Sequence, residues 1–547
     1  MLLESVQLKG KIIPLAKPKV TKGANVVTVI MGNNGSGKSY LFQNICFAFI
    51  KAHYKNNFQN ELNNFSNIPK ENELNELVYL NNGISYSISK QVQPFVTSYM
   101  VAKDEIRTFV SHYPYETVIQ QNGTSDRKDY HHLMEHFLAD VKSQSYEPIF
   151  KRNSQSVNFK DLEFPSKILA ITGSPYDKFP FLERRSHFRL TMPYVYLGTR
   201  SSDMPGIRSK RGYLSNKFDQ LGASFIKLLL KPKRKHFDFS KVFNYLNISY
   251  TFTLKLSLSE RFRVEDVEKS KILDMIGSIK FFKDKDHDEF RSENENGELA
   301  EQLVDALEYV LEGKVLDNHF FQPIEISCAI NLEKEHENKK LLSCLELLTE
   351  YDLIELNDVE FKKRDSLNEF LLSEASSGEL SLLFTMSSIA GEIENNSLIL
   401  IDEPELSLHP SWQLSFLDLL QSTFSNYKNC HFIIATHSPN LISSISKEDA
   451  FIVNLSLDKP ELMESKDYHN RSADFQLAKV FDAPGNSNEY LIKLAINIFS
   501  KVKTNKIFDK EDIQNLDFMN EIRGSLPAND SVIELIEMLN EVYQKYG

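Results

Sequence analysis

The sequence predicts an α/β fold, in which a mixed sheet flanked by helices carries a large insertion of mixed α/β to α-helical character. Short apolar runs such as VVTVIMG, KILAIT, LILID and HFIIAT are typical of buried strands, and an amphipathic helix, YLFQNICFAFI, follows the first of them. About 340 residues then separate the glycine-rich turn after the first strand from a polar turn, SSGE, that opens another helix. We expect this insertion to hold the function-specific part of the chain.

Composition indicates a globular protein. The chain has 547 residues, of which 41% are hydrophobic and 25% charged, and this is enough apolar material for two or three cores. No run approaches the roughly 18 apolar residues of a membrane span, and the start, MLLESVQLKGKI, lacks the apolar centre of a signal peptide. The four cysteines form no CxxC pair, which argues against structural zinc and a disulfide framework. We expect a cytoplasmic protein with reduced thiols.

The glycine-rich turn lies in MGNNGSGKSY, between the first predicted strand and its helix. It matches GxxxxGK[ST], a pattern whose backbone N–H groups cradle phosphates, whose lysine reaches the terminal phosphates and whose hydroxyl serves Mg²⁺. The flanking strand and helix are the context that this pattern requires. We therefore predict nucleotide binding by a phosphate loop made of Gly32, Asn33, Asn34, Gly35, Ser36, Gly37, Lys38 and Ser39.

A second anion site is predicted at SSGE, where a polar turn opens the helix of residues 373–393. A helix start offers free N–H groups and the positive end of its dipole, and Ser377 adds a hydroxyl donor.

Two strand ends supply catalytic groups. SLILIDEPELSLHP ends an apolar strand in Asp402, which would help to hold Mg²⁺ through water, and Glu403, which would polarise a water for attack on the γ-phosphate. HFIIATHSP ends another strand and brings His437 to the same sheet edge, where its imidazole can contact the γ-phosphate. The SSGE turn and these two strand ends are weak signals alone, whereas the phosphate loop is a strong one, and the order of all four along the chain makes chance assembly improbable.

That order resembles the ATP-binding cassette (ABC) superfamily, in the soluble branch of SMC, recombination-repair and OLD-type ATPases. GNNGSGKS corresponds to Walker A, SSGEL to the signature in place of LSGGQ, LILIDE to Walker B, PELSLHP to the D-loop and ATHS to the switch. The resemblance implies ATP and Mg²⁺ as ligands. It also assigns site roles: phosphate cradle for Lys38 and Gly35 to Ser39, Mg²⁺ for Ser39 and Asp402, catalytic base for Glu403 and switch for His437.

By the same resemblance, Ser377, Gly378 and Glu379 contact the ATP held by a second copy of the chain. Two heads enclose two ATP molecules in this superfamily, so a homodimer or higher oligomer is implied. The glutamine of the Q-loop has no evident counterpart: Ser174 follows KILAIT at the expected place, and Gln121 is the alternative.

A narrower resemblance runs through the middle of the chain. AITGSPYDKFP, YVYLGTRS and LIDEPELSLHPSWQ resemble the PtuA family, the ATPases of Septu-type and retron-linked anti-phage systems. This implies an HNH nuclease, PtuB, as partner and, in retron versions, a reverse transcriptase with its RNA-linked DNA. We expect no nuclease in this chain, because its tail has no clear DxD after a strand and its HNR at 469–471 is isolated.

We divide the chain into an N-terminal part of the ATPase core (1–180), the insertion (181–372), a C-terminal part of the core (373–455) and a mostly helical extension (456–547). The insertion is predicted to be basic at 184–241, with 14 Lys and Arg against 3 Asp and Glu, and acidic and helical at 281–372. The basic segment would bind nucleic acid, or be a solvated or partner-facing surface.

Alternatives remain for function and for two short patterns. The chain is alternatively an SMC- or recombination-type DNA-repair ATPase, although it lacks sustained heptads, or an ATP-binding scaffold with little hydrolysis. His132, Glu135 and His136 have the spacing of an inverted zinc-protease motif, or form a surface helix turn. Asp284, Asp286 and Asp288 resemble the start of a calcium loop, or form a solvated acidic face.

Overall fold

The structure is a computed structural model, and the residues that it describes are 1–17, 23–53, 65–66, 69, 73–90, 98–102, 105–112, 116–120, 148–157, 161–174, 176–182, 193–198, 200, 213–231, 233–258, 293–311, 325–333, 339–351, 353–366 and 368–547.

The strands and helices are numbered in chain order. The strands are β1 (Leu2–Leu8), β2 (Lys11–Pro14), β3 (Val26–Met31), β4 (Phe65–Ser66), β5 (Leu74–Asn81), β6 (Ile84–Lys90), β7 (Ser98–Ala102), β8 (Glu105–His112), β9 (Glu116–Gln120), β10 (Pro148–Arg152), β11 (Gln155–Val157), β12 (Ile168–Thr172), β13 (Phe181–Leu182), β14 (Tyr194–Leu197), β15 (Ile248–Leu258), β16 (Glu325–Asn331), β17 (Ile354–Lys363), β18 (Glu369–Leu371), β19 (Leu398–Asp402), β20 (His431–Ala435), β21 (Ala450–Asn454) and β22 (Leu462–Glu464). The helices are α1 (Lys38–His53), α2 (Tyr213–Leu230), α3 (Lys233–Tyr245), α4 (Glu293–Leu311), α5 (Lys339–Glu350), α6 (Ser377–Glu392), α7 (Pro410–Thr423), α8 (Pro439–Ser443), α9 (Ala473–Lys479), α10 (Glu489–Asn505), α11 (Lys510–Ile522) and α12 (Ser531–Tyr546).

A seven-stranded central sheet has the order β14-β12-β19-β20-β3-β21-β22. Its first six strands are parallel, and β22 closes one edge antiparallel to β21. Strands β3, β12, β19, β20 and β21 are buried along their whole length, because helices or a second sheet cover both faces. The predicted α/β class, a mixed sheet flanked by helices, is confirmed.

A second sheet is antiparallel and has the order β11-β10-β6-β5-β1-β2. Its β5–β6 hairpin turns at Asn82 and Gly83, whose φ angles of 50° and 81° suit the type I′ turn that the Asn-Gly sequence favours. Helix α1 packs between this sheet and the central sheet in one hydrophobic core. The helix that carries the phosphate loop is therefore held on two sides.

The insertion contributes to the core on the other face of the central sheet. Strands β15 to β18 form a four-stranded antiparallel sheet of order β16-β15-β17-β18, and this sheet shares a continuous core with helices α2 to α7 and the central strands. Strand β14, within the segment assigned to the insertion, joins the central sheet beside β12. The segment assigned to the insertion thus packs continuously with the central sheet.

The acidic segment 281–372 differs from the sequence expectation, which was mostly helical. Besides α4 and α5 it contains β16, β17 and β18. Along β17 buried and more exposed residues alternate for much of its length, so its acidic residues lie largely on the outer face. The segment therefore has an ordinary strand pattern, although its composition is acidic.

The C-terminal extension contains strand β22 and helices α9 to α12. The last three pack around a small core of their own that also includes Ala478 of α9. In the part of the chain that the structure describes, every helix is too short or too polar to cross a bilayer.

Candidate nucleotide-binding site

The predicted catalytic segments meet at one edge of the central sheet. Strands β19, β20 and β3 are parallel neighbours, with Asp402 opposite Ala435 and Ala435 opposite Ile30. The carboxyl ends of parallel strands lie at the same sheet edge, where ligands of open α/β sheets bind. Residues 32–39, 402–405 and 436–437 together are called the phosphate edge below.

The phosphate loop is closed by contacts within itself. Gly35 and Gly37 have φ angles of 82° and 96°, which only glycine adopts without strain. Lys38 begins α1, and its Nζ donates to the Gly32 carbonyl at 2.9 Å. A Cβ on Gly32 would lie 2.6 Å from the Ser36 Oγ, so the loop leaves no room for a side chain there.

One further feature of the loop points to a ligand, and another shows what supports it. The Ser36 hydroxyl is buried and has no hydrogen-bond partner among the described residues. The Asn33 N–H donates to the Ser456 Oγ at 2.8 Å, so the segment after β21 supports the loop from its exposed side. Sequence reasoning did not find Ser456, because nothing in its local pattern marks it.

Ser39 and Asp402 lie together, as the Mg²⁺ prediction requires. Ser39 hydrogen-bonds to the Asp402 carboxylate, whose Oδ1 is buried and has no hydrogen-bond partner among the described residues. Burial raises the pKa of Asp402 to about 7, the Ser39 hydrogen bond opposes this shift, and the nearby Glu403 charge adds to it. A hydroxyl and a buried carboxylate oxygen are hard ligands that fit Mg²⁺.

Two protein oxygens do not complete the coordination shell of a Mg²⁺ ion. Among the described residues no group of three or more His, Cys, Asp and Glu side chains has the arrangement of a metal site. Mg²⁺ normally takes one or two protein ligands and completes its shell with phosphate oxygens and water. The two residues are therefore consistent with a metal that arrives with a nucleotide.

Lys38, Glu403 and His437 form a second group at the phosphate edge. The imidazole Nδ1 of His437 is 3.4 Å from the Lys38 Nζ, and its Nε2 is 3.4 Å from the Glu403 Oε1. Burial and the Lys38 charge lower the pKa of His437, so the ring is neutral at pH 7. Burial also lowers the pKa of Lys38, although the nearby carboxylates, Glu403 first among them, oppose the shift.

Glu403 has a φ of 50° in the left-handed region, which is uncommon for a residue with a side chain. Its N–H donates to the Ala435 carbonyl at 2.9 Å, which fixes the turn after β19. Strain of this kind collects at functional sites, where the surrounding structure enforces it.

Glu405 is a site residue that sequence reasoning missed. Its Oε1 accepts the His437 N–H at 2.6 Å, its carboxylate accepts from Thr436, and its Oε2 is buried without a partner among the described residues. Burial raises the pKa of Glu405. The second glutamate of DEPE was the available signal, and this residue positions the backbone of His437.

The signature turn, residues 376–379, is at the start of α6. Ser376 is the N-cap, and it forms a capping box with Glu379: the Ser376 Oγ accepts the Glu379 N–H at 3.2 Å, and the Glu379 Oε2 accepts the Ser376 N–H at 2.9 Å. Ser377 is exposed, and Gly378 is buried against the Ser407 carbonyl and the Trp412 ring. The N-cap hydroxyl is thus that of Ser376, one residue before Ser377, which was the predicted hydroxyl donor.

The signature turn and the phosphate loop are not joined within the chain. None of the hydrogen bonds or ion pairs among the described residues links residues 376–379 to residues 32–39. Instead the Glu379 Oε1 accepts from Lys363 Nζ at 2.8 Å, which connects the turn to strand β17 of the insertion.

The remaining candidates are placed as follows. Ser174 follows β12, its N–H donates to Thr172 Oγ1 at 3.0 Å, and its own hydroxyl accepts the Tyr176 N–H at 3.2 Å, so its side chain shapes the loop. Other candidates lie outside the described residues: Gln121, His132, Glu135, His136, Asp284, Asp286 and Asp288.

Three lysines of the basic segment make contacts within the molecule. Lys227 pairs with Glu392, and Lys231 donates to the Ala390 and Ile393 carbonyls at the C-terminal end of α6. Lys241 donates to the Ser422 carbonyl at 2.6 Å. Changing Lys231 to Glu would therefore disturb α6 before it tested nucleic-acid binding.

Residues 229–443 match the family model described as "AAA domain, putative AbiEii toxin, Type IV TA system". The match includes the signature turn, Asp402, Glu403 and His437 and begins after the phosphate loop. This segment of the chain is thus similar to an AAA-type domain.

Three proteins share short stretches with this chain. "Protein ea59" of Escherichia phage lambda is 33% identical over 128 residues, which cover 22% of this chain and 24% of that protein. "Retron Vc95 probable ATPase" of Vibrio cholerae is 32% identical over 98 residues (16% and 18%), and "Retron Ec83 probable ATPase" of Escherichia coli is 32% identical over 103 residues (17% and 18%). The matched stretches span about a quarter or less of each relative.

SMC head structures were also found. "SMC head domain from Thermotoga maritima" is 12% identical, covers 85% of this chain and 99% of that chain, and has a TM-score of 0.28. "Crystal structure of the SmcHead bound to the C-winged helix domain of ScpA" is 12% identical, covers 85% and 98%, and has a TM-score of 0.27. Scores this low do not establish a shared fold, and the architecture stands on the strand order described above.

Proposed function

We propose that this chain is an ATPase that dimerises around ATP and controls a separate HNH nuclease, PtuB, in bacterial anti-phage defence of the retron or Septu type. One observation carries the ATPase part: Lys38, the Ser39–Asp402 pair, Glu403 and His437 converge at the phosphate edge. These are the groups that phosphoryl transfer to water needs, namely phosphate ligands, metal ligands and a residue that orients the nucleophile.

The chain's own residues have separate tasks in this reaction. The loop N–H groups and Lys38 would hold the phosphates, and Ser39 and Asp402 would hold Mg²⁺, whose charge would offset that of the phosphate oxygens. Glu403 accepts a proton from the water whose oxygen attacks the γ-phosphorus, the bond to the bridging oxygen breaks, and ADP and phosphate leave. His437 lies within reach of both Glu403 and Lys38, and Glu405 holds its backbone.

The dimer part rests on the separation of the two half-sites. The signature turn has two N–H groups, of Ser377 and Gly378, that no hydrogen bond among the described residues uses. Free N–H groups at a helix start bind phosphate. Because this turn is not joined to the phosphate loop of its own chain, we assign it to the ATP of a second copy.

The defence part is supported by the two partial matches to proteins named retron ATPases. PtuB, a reverse transcriptase and RNA-linked DNA are the proposed partners. Release of the nuclease during infection would degrade nucleic acid and stop phage spread.

The ATPase proposal is tested by measuring phosphate release from the wild type, from Glu403→Gln and from the exposed control Glu461→Gln. We expect Glu403→Gln to reduce turnover by about 100-fold or more, which is the usual contribution of a general base, while ATP binding and the control's turnover are retained. Equal and negligible turnover in wild type and Glu403→Gln would instead identify an ATP-binding scaffold.

The partner proposal is tested by the open reading frames beside this gene and by co-purification with the HNH protein they encode. We expect a stable complex, and loss of phage protection in cells when Glu403→Gln replaces the wild type. A lone gene among repair genes, with no HNH protein retained, would favour the DNA-repair alternative.

A further inference from the structure

The charge of Glu379 poses a problem for the proposed function. The signature turn would receive an ATP phosphate from a second copy, yet it carries a carboxylate at the position where anions should bind. The Glu379 Oε2 accepts both the N–H and the hydroxyl of Ser376, at 2.9 and 3.0 Å, so the carboxylate lies directly at the helix start. An uncompensated negative charge there would repel phosphate.

Lys363 supplies the compensating charge. Its Nζ is 2.8 Å from the Glu379 Oε1, and the two side chains are 31% and 19% exposed, so the pair is only partly screened by water. Although burial alone would raise it, the hydrogen bonds from Lys363 and Ser376 hold the pKa of Glu379 below its ordinary value. The carboxylate is therefore ionised and paired at neutral pH.

Lys363 is itself fixed by the insertion. It is the last residue of β17, and its Nζ also donates to the Leu246 carbonyl at 3.2 Å, just after α3. The Lys363 ammonium also lies 4.9 Å from the centroid of the Phe370 ring. Three contacts thus hold one ammonium at the signature turn, and two of them come from the insertion.

We propose that Lys363 is a positioning residue for the signature turn: it neutralises Glu379 so that the free N–H groups of Ser377 and Gly378 can take the γ-phosphate of an ATP bound by a second copy of the chain. This inference rests on the proposed ATP-dependent dimer. It adds that the insertion, through β17, determines whether the turn accepts phosphate.

Lys363→Met tests the charge, and Glu379→Gln offers a compensating change. Glutamine keeps the capping box because its amide oxygen can still accept the Ser376 N–H, but it carries no charge. Lys362→Met is the matched control, since Lys362 is the neighbouring residue of the same strand and pairs with Glu369 at 3.0 Å, away from the turn. Lys363→Arg keeps the positive charge.

The measurement is ATP-dependent dimerisation by sedimentation in a Glu403→Gln background, with ATP affinity of each variant followed separately. We expect Lys363→Met to weaken dimerisation about tenfold, because the unpaired Glu379 charge would repel the phosphate, and to leave ATP affinity unchanged. Lys363→Arg and Lys362→Met should match the parent, and Lys363→Met combined with Glu379→Gln should recover to within about threefold of it.

Each other outcome has a defined meaning. A Lys363→Met variant that dimerises like its parent overturns the inference, as does a double variant that stays as weak as Lys363→Met, because a purely structural role would not be rescued by removing a charge. A parent that binds ATP but never dimerises overturns the proposed dimer itself, and this inference with it.

Discussion

The phosphate edge and the signature turn are the two halves of the proposed ATP site, and they are built in opposite ways. At the edge, Ser36, Asp402 and Glu405 each bury a polar oxygen that has no partner among the described residues, and Glu403 adopts a left-handed backbone. At the turn, Ser376 and Glu379 satisfy one another and Lys363 neutralises the remaining charge. Within the described part of the chain, the edge thus keeps buried oxygens without partners, whereas the turn has its carboxylate paired and leaves only the N–H groups of Ser377 and Gly378 unused.

This difference between the phosphate edge and the signature turn follows from the ligand that each would bind. A buried polar group without a partner costs about 1–3 kcal/mol, and a bound nucleotide with its metal would remove that cost. The edge can tolerate it because the strands and helix that carry it are anchored in the large cores on both sides of the sheet. The turn is at the surface, where an unsatisfied carboxylate would bind water or the wrong ion.

The largest expected effect tests the edge as a metal site. Asp402→Asn removes the buried carboxylate beside Ser39, and we expect Mg²⁺-dependent ATP turnover to fall about 10³-fold, since the metal supplies several kcal/mol of charge stabilisation. Phosphate release measured over a Mg²⁺ titration checks this. Asp418→Asn, an exposed acid on α7, is the control. Unchanged turnover in Asp402→Asn would remove Asp402 from the metal site.

The second prediction concerns pH and the stability of the nucleotide-free protein. The pKa of Asp402 is raised to about 7 from an ordinary value of 3.8, so between these values the folded state keeps a proton that the unfolded state has lost. Folding is therefore favoured at low pH, and the free energy of unfolding falls as pH rises from about 4 to 7, by about 4 kcal/mol in total, before levelling off. Well above pH 7 Asp402 is ionised in both states, and the full destabilisation from its buried charge is present.

Asp402→Asn removes this titration. Subtracting the variant's free energy of unfolding from that of the wild type at each pH separates the Asp402 contribution from those of the other titrating groups. We expect the variant without nucleotide to be the more stable of the two at pH 8, and the difference to vanish near pH 4. Urea unfolding at four pH values measures it. A variant less stable than the wild type at pH 8 would mean that the carboxylate is not an unrelieved cost of the empty site.

The contrast between the two halves also separates what the sequence could predict from what it could not. Lys38, Ser39, Asp402, Glu403 and His437 were predicted because each follows a strand end within a short pattern, and the order of parallel strands brings such ends together. The β5–β6 hairpin was predicted for a similar reason, because its Asn-Gly turn is a local signal.

Residues that act through tertiary contacts were not predictable in this way. Lys363 reaches Glu379 only because β17 ends beside α6, and the acidic composition of the insertion concealed that strand. Lys231 belongs to a basic run that suggested a nucleic-acid surface, yet packing of α2 on α6 directs it to helix carbonyls. The sequence alone does not show which serine of SSGE is the N-cap. We therefore predicted the hydroxyl donor at Ser377, whereas the N-cap is Ser376.

The third prediction tests whether the signature turn must keep its shape. A Cβ on Gly378 would lie 3.1 Å from the Ser407 carbonyl oxygen and 3.3 Å from the Trp412 ring, so Gly378→Ala should push the turn by a few tenths of an ångström. We expect ATP-dependent dimerisation to weaken about tenfold while ATP affinity is unchanged. Gly297→Ala on α4, where a Cβ meets nothing within 4 Å, is the control. Equal dimerisation in both variants would show that the turn makes no close contact with a second copy.

The smallest expected effect separates the two serines of the turn. Ser376→Ala removes the N-cap and should lower the free energy of unfolding by about 1 kcal/mol, whereas Ser377→Ala, at an exposed first helical position, should change it little. If Ser377 donates its hydroxyl to phosphate, Ser377→Ala weakens ATP-dependent dimerisation at full stability. If the Ser376 hydroxyl donates to phosphate instead, Ser376→Ala weakens ATP-dependent dimerisation by more than its loss of stability explains. Thermal unfolding and sedimentation of both variants decide which hydroxyl completes the second half of the site.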